Sequence, residues 1–259
     1  MAPDLGSTPA PTRPPVLAVA GLGVAYDGVS VLRDVTFGVG AGELVAVIGP
    51  NGAGKSTLFK AIIGAVAHTG HVDIDGTHCH HRRERTAIAY IPQRADLDLE
   101  FPLSVEELVL SGRRRFLHFG RRPTARDRDV ARSCMASVGV DGLAGRRLGS
   151  LSGGQTQRVF LARALAQEAG VVLLDESLSG VDQPRAEELV DLFAALCRHR
   201  GTTLLVATHD LELTRRRFAR CLAVNRRLVV DGAPAAVLDP AAIESVFASL
   251  GRPVHVDAA

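Results

Sequence analysis

The residues best suited to chemistry run Gly49-Pro50-Asn51-Gly52-Ala53-Gly54-Lys55-Ser56-Thr57, a complete G-x-x-x-x-G-K-S. Their chemistry is the holding of phosphate. Glycines let successive backbone N–H groups turn inward around phosphate oxygens. A helix that starts in the loop adds its positive N-terminal end. Lys55 is placed to reach β- and γ-phosphates, and the Ser56 hydroxyl to ligate Mg²⁺. The competing reading is a glycine turn that matches by chance. The setting argues against it. The apolar run Leu44–Ile48 leads in and a helix-capable run, Thr57 to Ile63, leads out, which is the strand–loop–helix context the motif requires. Lys55 and Lys60 are also the only lysines among 30 cationic side chains. A compact ammonium fits a tight backbone cradle, whereas the planar guanidinium fork does not.

A second group is Val171-Val172-Leu173-Leu174 followed by Asp175 and Glu176. Four apolar residues predict a strand buried on both faces, with two carboxylates at the C-terminal end where open α/β sheets bind ligands. Alternation along a strand predicts that the two point opposite ways and serve different tasks. Asp175 would help hold Mg²⁺ and Glu176 would polarise an attacking water. Ser152-Gly153-Gly154-Gln155 precedes an alanine- and leucine-rich helix reaching Gln167, again suited to an anion. His209 follows a buried run at a strand's tip, within reach of a γ-phosphate or equally able to cap the next helix. Tyr26, one of two tyrosines, could stack on an adenine ring or be an ordinary strand-end aromatic. His78-Cys79-His80-His81 raises a metal site, but adjacent histidines on a loop converge poorly on one ion. A solvated hairpin loop, dispensable for activity, is the reading preferred.

The elements that position these residues are legible in outline. Strands are predicted at Val16 to Tyr26, Val35 to Val39, Leu44 to Ile48, His71 to Gly76, Ala87 to Gln93, Val171 to Leu174 and Thr202 to Ala207. Ser104-x-x-Glu107 opens a helix with a capping box, Thr124 to Val138 a more polar one, and Pro184 a helix through Arg198. Cys221 to Val230 and Ala235 to Leu250 read as two strands and short helices. Arg113–Arg115, with Arg121, Arg122, Phe116 and Phe119, invite a nucleic-acid reading. Asp127 and Asp129 nearby favour a solvated basic surface, and no nucleic-acid partner is expected. At 259 residues, 46% apolar and net charge +2, the chain fits one large α/β domain, and bulk charge selects no partner. No apolar run reaches about 18 residues, so no transmembrane helix is expected. Residues 1–15, with five prolines, read as a disordered tail. Four scattered cysteines suit a reducing cytosol.

Together these motifs resemble the ATP-binding subunits of ABC transporters, over nearly all of Val16 to Leu250. The run Leu151 to Gln155 looks like the signature that separates ABC ATPases from other phosphate-loop proteins. The resemblance implies an α/β phosphate-loop core with an antiparallel β subdomain and an inserted α-helical subdomain. It implies a single ATPase domain over 16–259, with the nucleotide-binding core at 16–93 and 156–259 and the helical subdomain at 94–155. ATP and Mg²⁺ would be held by Tyr26, Gly49, Asn51, Gly52, Gly54, Lys55, Ser56, Thr57, Ser152, Gly153, Gly154, Gln155 and Asp182. The metal would lie at Ser56, Gln93 and Asp175. Glu176, His209 and Gln93 would be catalytic, and Ser179 to Asp182 looks like the loop that communicates between sites. A narrower likeness, at Phe101 to Val105, Arg121 to Pro123 and Gly180 to Asp182, is to the zinc- and manganese-type metal importers. Two departures stand against it: Ser177 replaces the proline usual after the glutamate, and Leu178-Ser179 replaces Phe-Ala.

The implied mechanism joins two copies head to tail around two ATP molecules. Ser152 to Gln155 of one copy would meet the γ-phosphate held by Lys55 of the other, and hydrolysis would open the pair. Membrane permease subunits and an extracytoplasmic metal-binding protein would complete an importer, with this subunit peripheral on the cytoplasmic face of the membrane. Rival readings are an ABC ATPase for another cargo such as chelated iron, and a soluble one of iron–sulfur assembly type. A DNA-repair member would need sustained heptads, and none occurs. A GTPase or small-molecule kinase would leave Ser152 to Gln155 unexplained, and no Asn-Lys-x-Asp guanine reader is present. A metal-binding module would have to be built on His78 to His81.

Overall fold

The computed structural model describes residues 14–79, 87–93, 102–116 and 122–239. Its first layer is an antiparallel sheet. Strand β1 (Leu17–Tyr26) turns through Asp27 and Gly28, with φ 48° and 78°, into β2 (Val29–Val39). Asp-Gly with both residues left-handed is the two-residue hairpin turn that matches strand twist. The turn pairs Tyr26 with Val29, so β2 begins six residues before the predicted Val35. Strand β4 (Thr69–Ile74) pairs with β1, and β5 (Thr77–His78) folds back on β4 through Asp75-Gly76 at φ 49° and 73°. His78 is therefore strand, opposite Asp73, rather than part of a solvated loop. His80 and His81 lie outside the described residues, as do Phe101, Phe119, Arg121 and residues 1–13 of the proline-rich tail.

The second sheet is mostly parallel. It comprises β3 (Leu44–Ile48), β6 (Ile88–Ile91), β7 (Val171–Leu174), β8 (Thr203–Thr208), β9 (Arg220–Val224) and β10 (Leu228–Gly232). Their spatial order is β10-β9-β3-β8-β7-β6, with only β10 antiparallel. Both faces of this sheet are covered, so its strands read as unbroken apolar runs. Alternation sorts them: Val45 and Val47 face one core, Ala46 and Ile48 the other. Helix α1 (Lys55–Ile62) lies in the first core, where Leu58, Phe59 and Ile62 meet Leu17, Leu22 and Leu32 of the antiparallel sheet.

The second core is roofed by α2 (Val105–Ser111), α3 (Ala125–Ser137), α4 (Gly153–Ala166), α5 (Gln183–Arg200) and α6 (Leu211–Arg217). A short helix, α7 (Pro234–Val237), closes the described chain, and the rest of the predicted C-terminal helices lie beyond it. Ser104/Glu107, Thr124/Asp127 and Ser152/Gln155 form reciprocal capping boxes that start α2, α3 and α4. Helix α4 packs on α2, α3 and β6, and the division between residues 155 and 156 falls inside its first turn.

Arg113 departs from the expected solvated basic surface. It is 5% exposed and donates to Asp127 Oδ1 (3.1 Å), the Ala166 carbonyl (2.9 Å) and Glu168 Oε1 (2.7 Å). Its guanidinium also lies 4.0 Å from the centre of the Phe116 ring. A planar fork with several donors can join three segments at once, which charge counting along the chain does not reveal. The four cysteines are buried thiols, and burial pushes Cys197 up to about 11 and Cys221 to about 12.

Candidate nucleotide site

Four parallel strands bring the predicted residues to one edge. Ile48 pairs with Thr208, Val206 with Leu174, and Leu174 with Ile91. The chain therefore leaves β3 as Gly49, β8 as His209, β7 as Asp175-Glu176 and β6 as Pro92-Gln93, all at the sheet's carboxyl end.

The loop after β3 is held by backbone. A Cβ added at Gly49 would stand 2.1 Å from the Val224 carbonyl oxygen of β9. Gly54 has φ 97°, and a Cβ there would come within 2.7 Å of Leu32 Cδ2. The Arg226 N–H donates to Ala53 O (2.9 Å), and the Arg33 N–H donates to Arg226 O (2.7 Å). The β9–β10 turn and β2 thus clamp the loop from two sides. Asn51 and Gly52 are exposed at its crest, and Gly52 has open space where a side chain would be. Lys55 is 4% exposed, and its Nζ donates to the carbonyls of Gly49 (2.8 Å) and Pro50 (3.1 Å). Burial lowers its pKa, against the opposing pull of Glu176 and then Asp175. A partly desolvated ammonium inside a ring of backbone is a strong electrostatic partner for an anion.

The carboxylates are tied to the loop. Ser56 Oγ donates to Asp175 Oδ1 (3.0 Å), and the Tyr90 hydroxyl donates to Asp175 Oδ2 (2.9 Å). Gln93 Nε2 donates to Glu176 Oε2 (2.8 Å). The two carboxylates contact different partners, Asp175 with Ser56 and Tyr90 and Glu176 with Gln93, and both raise the Lys55 pKa. Asp175 still pairs with β6 through Ile91 O at 2.9 Å, but Glu176 turns left-handed, φ 44°, and strand alternation ends there. A non-glycine residue held in that region costs of order 1–3 kcal/mol, and the surrounding structure must impose it. Ser177 is buried beside it, with no hydrogen-bond partner for its Oγ among the described residues. Tyr90 was not singled out from sequence. Its signal was available, as the second tyrosine, three residues before Gln93 on a strand reaching the same edge.

The remaining residues are not drawn into this group. Tyr26 is 43% exposed at the β1–β2 hairpin, whose second strand packs Leu32 against Gly54. His209 is exposed after β8, and Asp210 next to it caps α6 by accepting from Leu213 N at 2.8 Å. Ser152, Gly154 and Gln155 line a separate recess of about 200 Å³ with Arg158, Arg185, Glu188 and Leu189. Gly153 opens α4 beside them, and Asp182 caps α5, accepting from Arg185 N at 3.2 Å. No phosphate-loop residue lines that recess.

This geometry defines an α/β protein with a phosphate cradle, a hard-oxygen pair beside it and a carboxylate within reach. Residues 32–179 match the family model described as ABC transporter. The chain is 38% identical to the manganese transport system ATP-binding protein MntB of Halalkalibacterium halodurans, over 90% of this chain and 92% of that one. It is 42% identical to the zinc transport system ATP-binding protein TroB of Treponema pallidum, over 82% and 79%. Among solved structures it superposes with a TM-score of 0.79 on a chain of a metal-chelate type ABC transporter in an inward-facing conformation. The identity is 26%, covering 90% of this chain and 89% of that one. The chain belongs to the ABC transporter family, as an ATP-hydrolysing subunit. It binds nucleotide, works with membrane permease partners and is membrane-associated. No helix among the described residues is long and apolar enough to cross a membrane.

Proposed function

We propose that ATP lies with its β- and γ-phosphates in the loop from Gly49 to Thr57, and that its hydrolysis drives import of zinc or manganese. The observation that carries the ATP site is the convergence of Lys55, Ser56, Asp175, Glu176 and Gln93 at one sheet edge. Backbone N–H groups of Gly52 and Gly54 and the α1 N-terminus hold phosphate oxygens, with Lys55 as the point charge. Asn51 and Thr57 bound the same cradle, and Tyr26 at the neighbouring hairpin stacks on adenine.

The donors at Ser56 and Asp175 are two oxygens 3.0 Å apart, the hard chemistry that suits Mg²⁺. With Gln93 they would hold it, and when bound it neutralises charge on the phosphate oxygens. Glu176 accepts a proton from the attacking water, whose oxygen bonds to the γ-phosphorus as the bond to ADP breaks. Gln93 orients Glu176, and His209, one strand over, donates to the γ-phosphate.

The Ser152–Gln155 motif opens on its own recess, away from Lys55 in the same chain. That separation supports a head-to-tail pair of copies in which each motif, with Asp182, completes the other's site. On this reading residues 16–93 and 156–259 form the nucleotide core, and 94–155 form the helical subdomain that meets the permease on the cytoplasmic face. An extracytoplasmic binding protein delivers the metal.

The manganese and zinc relatives support this choice of cargo. The test is uptake by vesicles containing the whole complex, with labelled metals supplied through the binding protein. ATP-driven accumulation of zinc or manganese, lost with Lys55→Ala, is expected. Uptake of a chelated metal instead, with no free-ion uptake, would overturn the cargo and leave the ATPase standing.

A further inference from the structure

We propose that His71 and His78 form a second, surface site that binds a divalent transition-metal ion, apart from the nucleotide site. The two lie on the solvent face of the β4–β5 hairpin. Period-two alternation puts Val72, Ile74 and Cys79 into the core and leaves His71, Asp73 and His78 together on the other side. Asp73 pairs directly with His78 across the ladder. His78 Nδ1–H donates to Asp73 Oδ1 at 2.6 Å, which leaves the lone pair on Nε2, the nitrogen that faces His71. That Nε2 stands 3.2 Å from His71 Nδ1, with the ring centres 4.7 Å apart.

Two imidazole nitrogens bound to one zinc ion at tetrahedral angles stand about 3.3–3.4 Å apart. The observed separation therefore needs only a small ring movement to admit the ion. His71 moves its proton to Nε2, and the two lone pairs then share the metal instead of a proton. A carboxylate behind a ligating histidine fixes its tautomer and raises its basicity, and Asp73 already stands there. Nitrogen donors favour zinc, copper or nickel over magnesium or calcium. Among the described residues no three His, Cys, Asp or Glu side chains group to hold an ion. Among those residues the site offers two protein ligands, His71 and His78. The hairpin is anchored through its buried face, so the ligands are preorganised on strands rather than carried on a loop.

The experiment titrates the full chain with zinc chloride, without nucleotide, while the ring nitrogens of His71 and His78 are followed by ¹⁵N NMR. Both rings should shift together and saturate at one equivalent. His71→Ala and His78→Ala should each abolish that equivalent, Asp73→Asn should weaken it by about 10–100-fold, and His199→Ala, on an exposed helix end, should leave it intact. Rings that stay still, or that respond at different zinc concentrations, would overturn the site, as would unchanged zinc binding in the two histidine variants. Because the ring signals are read in the wild-type chain, a variant that misfolds does not rescue the proposal.

Discussion

Lys55 couples the loop to both carboxylates, and its burial means that any replacement is felt. Removing a charged hydrogen-bond donor to phosphate costs about 1.5–3 kcal/mol, or roughly 10–150-fold in affinity. Lys55→Ala should weaken ATP binding by that factor in a calorimetric titration, and turnover should fall with it. Affinity and turnover close to the parent's would remove the loop from the mechanism. Glu176→Gln is a different case. The amide keeps the shape and the contact to Gln93 but cannot take a proton, and a general base contributes about 10²–10⁴-fold. Turnover of the permease-bound complex should drop by that amount with ATP affinity retained, and an ATPase rate within a few-fold of the parent's would assign the base elsewhere. Lys55, Ser56 and Asp175 were legible from motif and spacing. The left-handed backbone of Glu176 was not, because strand alternation does not anticipate it.

Elements were legible where local chemistry decides them. Ser104, Thr124 and Ser152 start their helices as the capping pattern requires, and Asp-Gly turns two hairpins. The β2 start and the strand at His78 were missed although Val29, Val31 and Thr77 favour strands, because their pairing is set by the two Asp-Gly turns. Arg113 shows the same limit for charge. Its partners on α3 and after α4 are 14 and 55 residues away, and a charge run along the sequence hides them. Breaking a buried, multiply bonded pair costs about 3–5 kcal/mol. Arg113→Ala should therefore lower Tm clearly in a thermal scan, while exposed Arg114→Ala should stay within about 0.5 kcal/mol of the parent. Equal stability of the two variants would show that the Arg113 network contributes nothing.

At the scale of the molecule, the phosphate loop and the Ser152–Gln155 motif occupy separate surfaces of one chain. On the proposed pairing, ATP joins the copies and hydrolysis releases them. Glu176→Gln, which retains ATP, should sediment as a dimer with ATP and as a monomer with ADP. Adding Ser152→Ala removes a helix cap and the hydroxyl that this pairing sets against phosphate, and should return the ATP form to monomer. A dimer that ignores both nucleotide and Ser152 would contradict the pairing.

The amino-acid sequence by itself determined the class of fold and the phosphate chemistry. Both rest on short-range facts: glycines that free the backbone, apolar runs of strand length, and a lysine and a serine at fixed spacing. Tertiary structure decided which distant groups meet. Parallel register brought Gln93, Asp175, Glu176 and His209 to the edge beside Gly49. It set Tyr90 on Asp175, buried Arg113 among three segments and placed His71 against His78. Those contacts depend on how strands align and on which residues each turn sets opposite one another, and no local pattern encodes them.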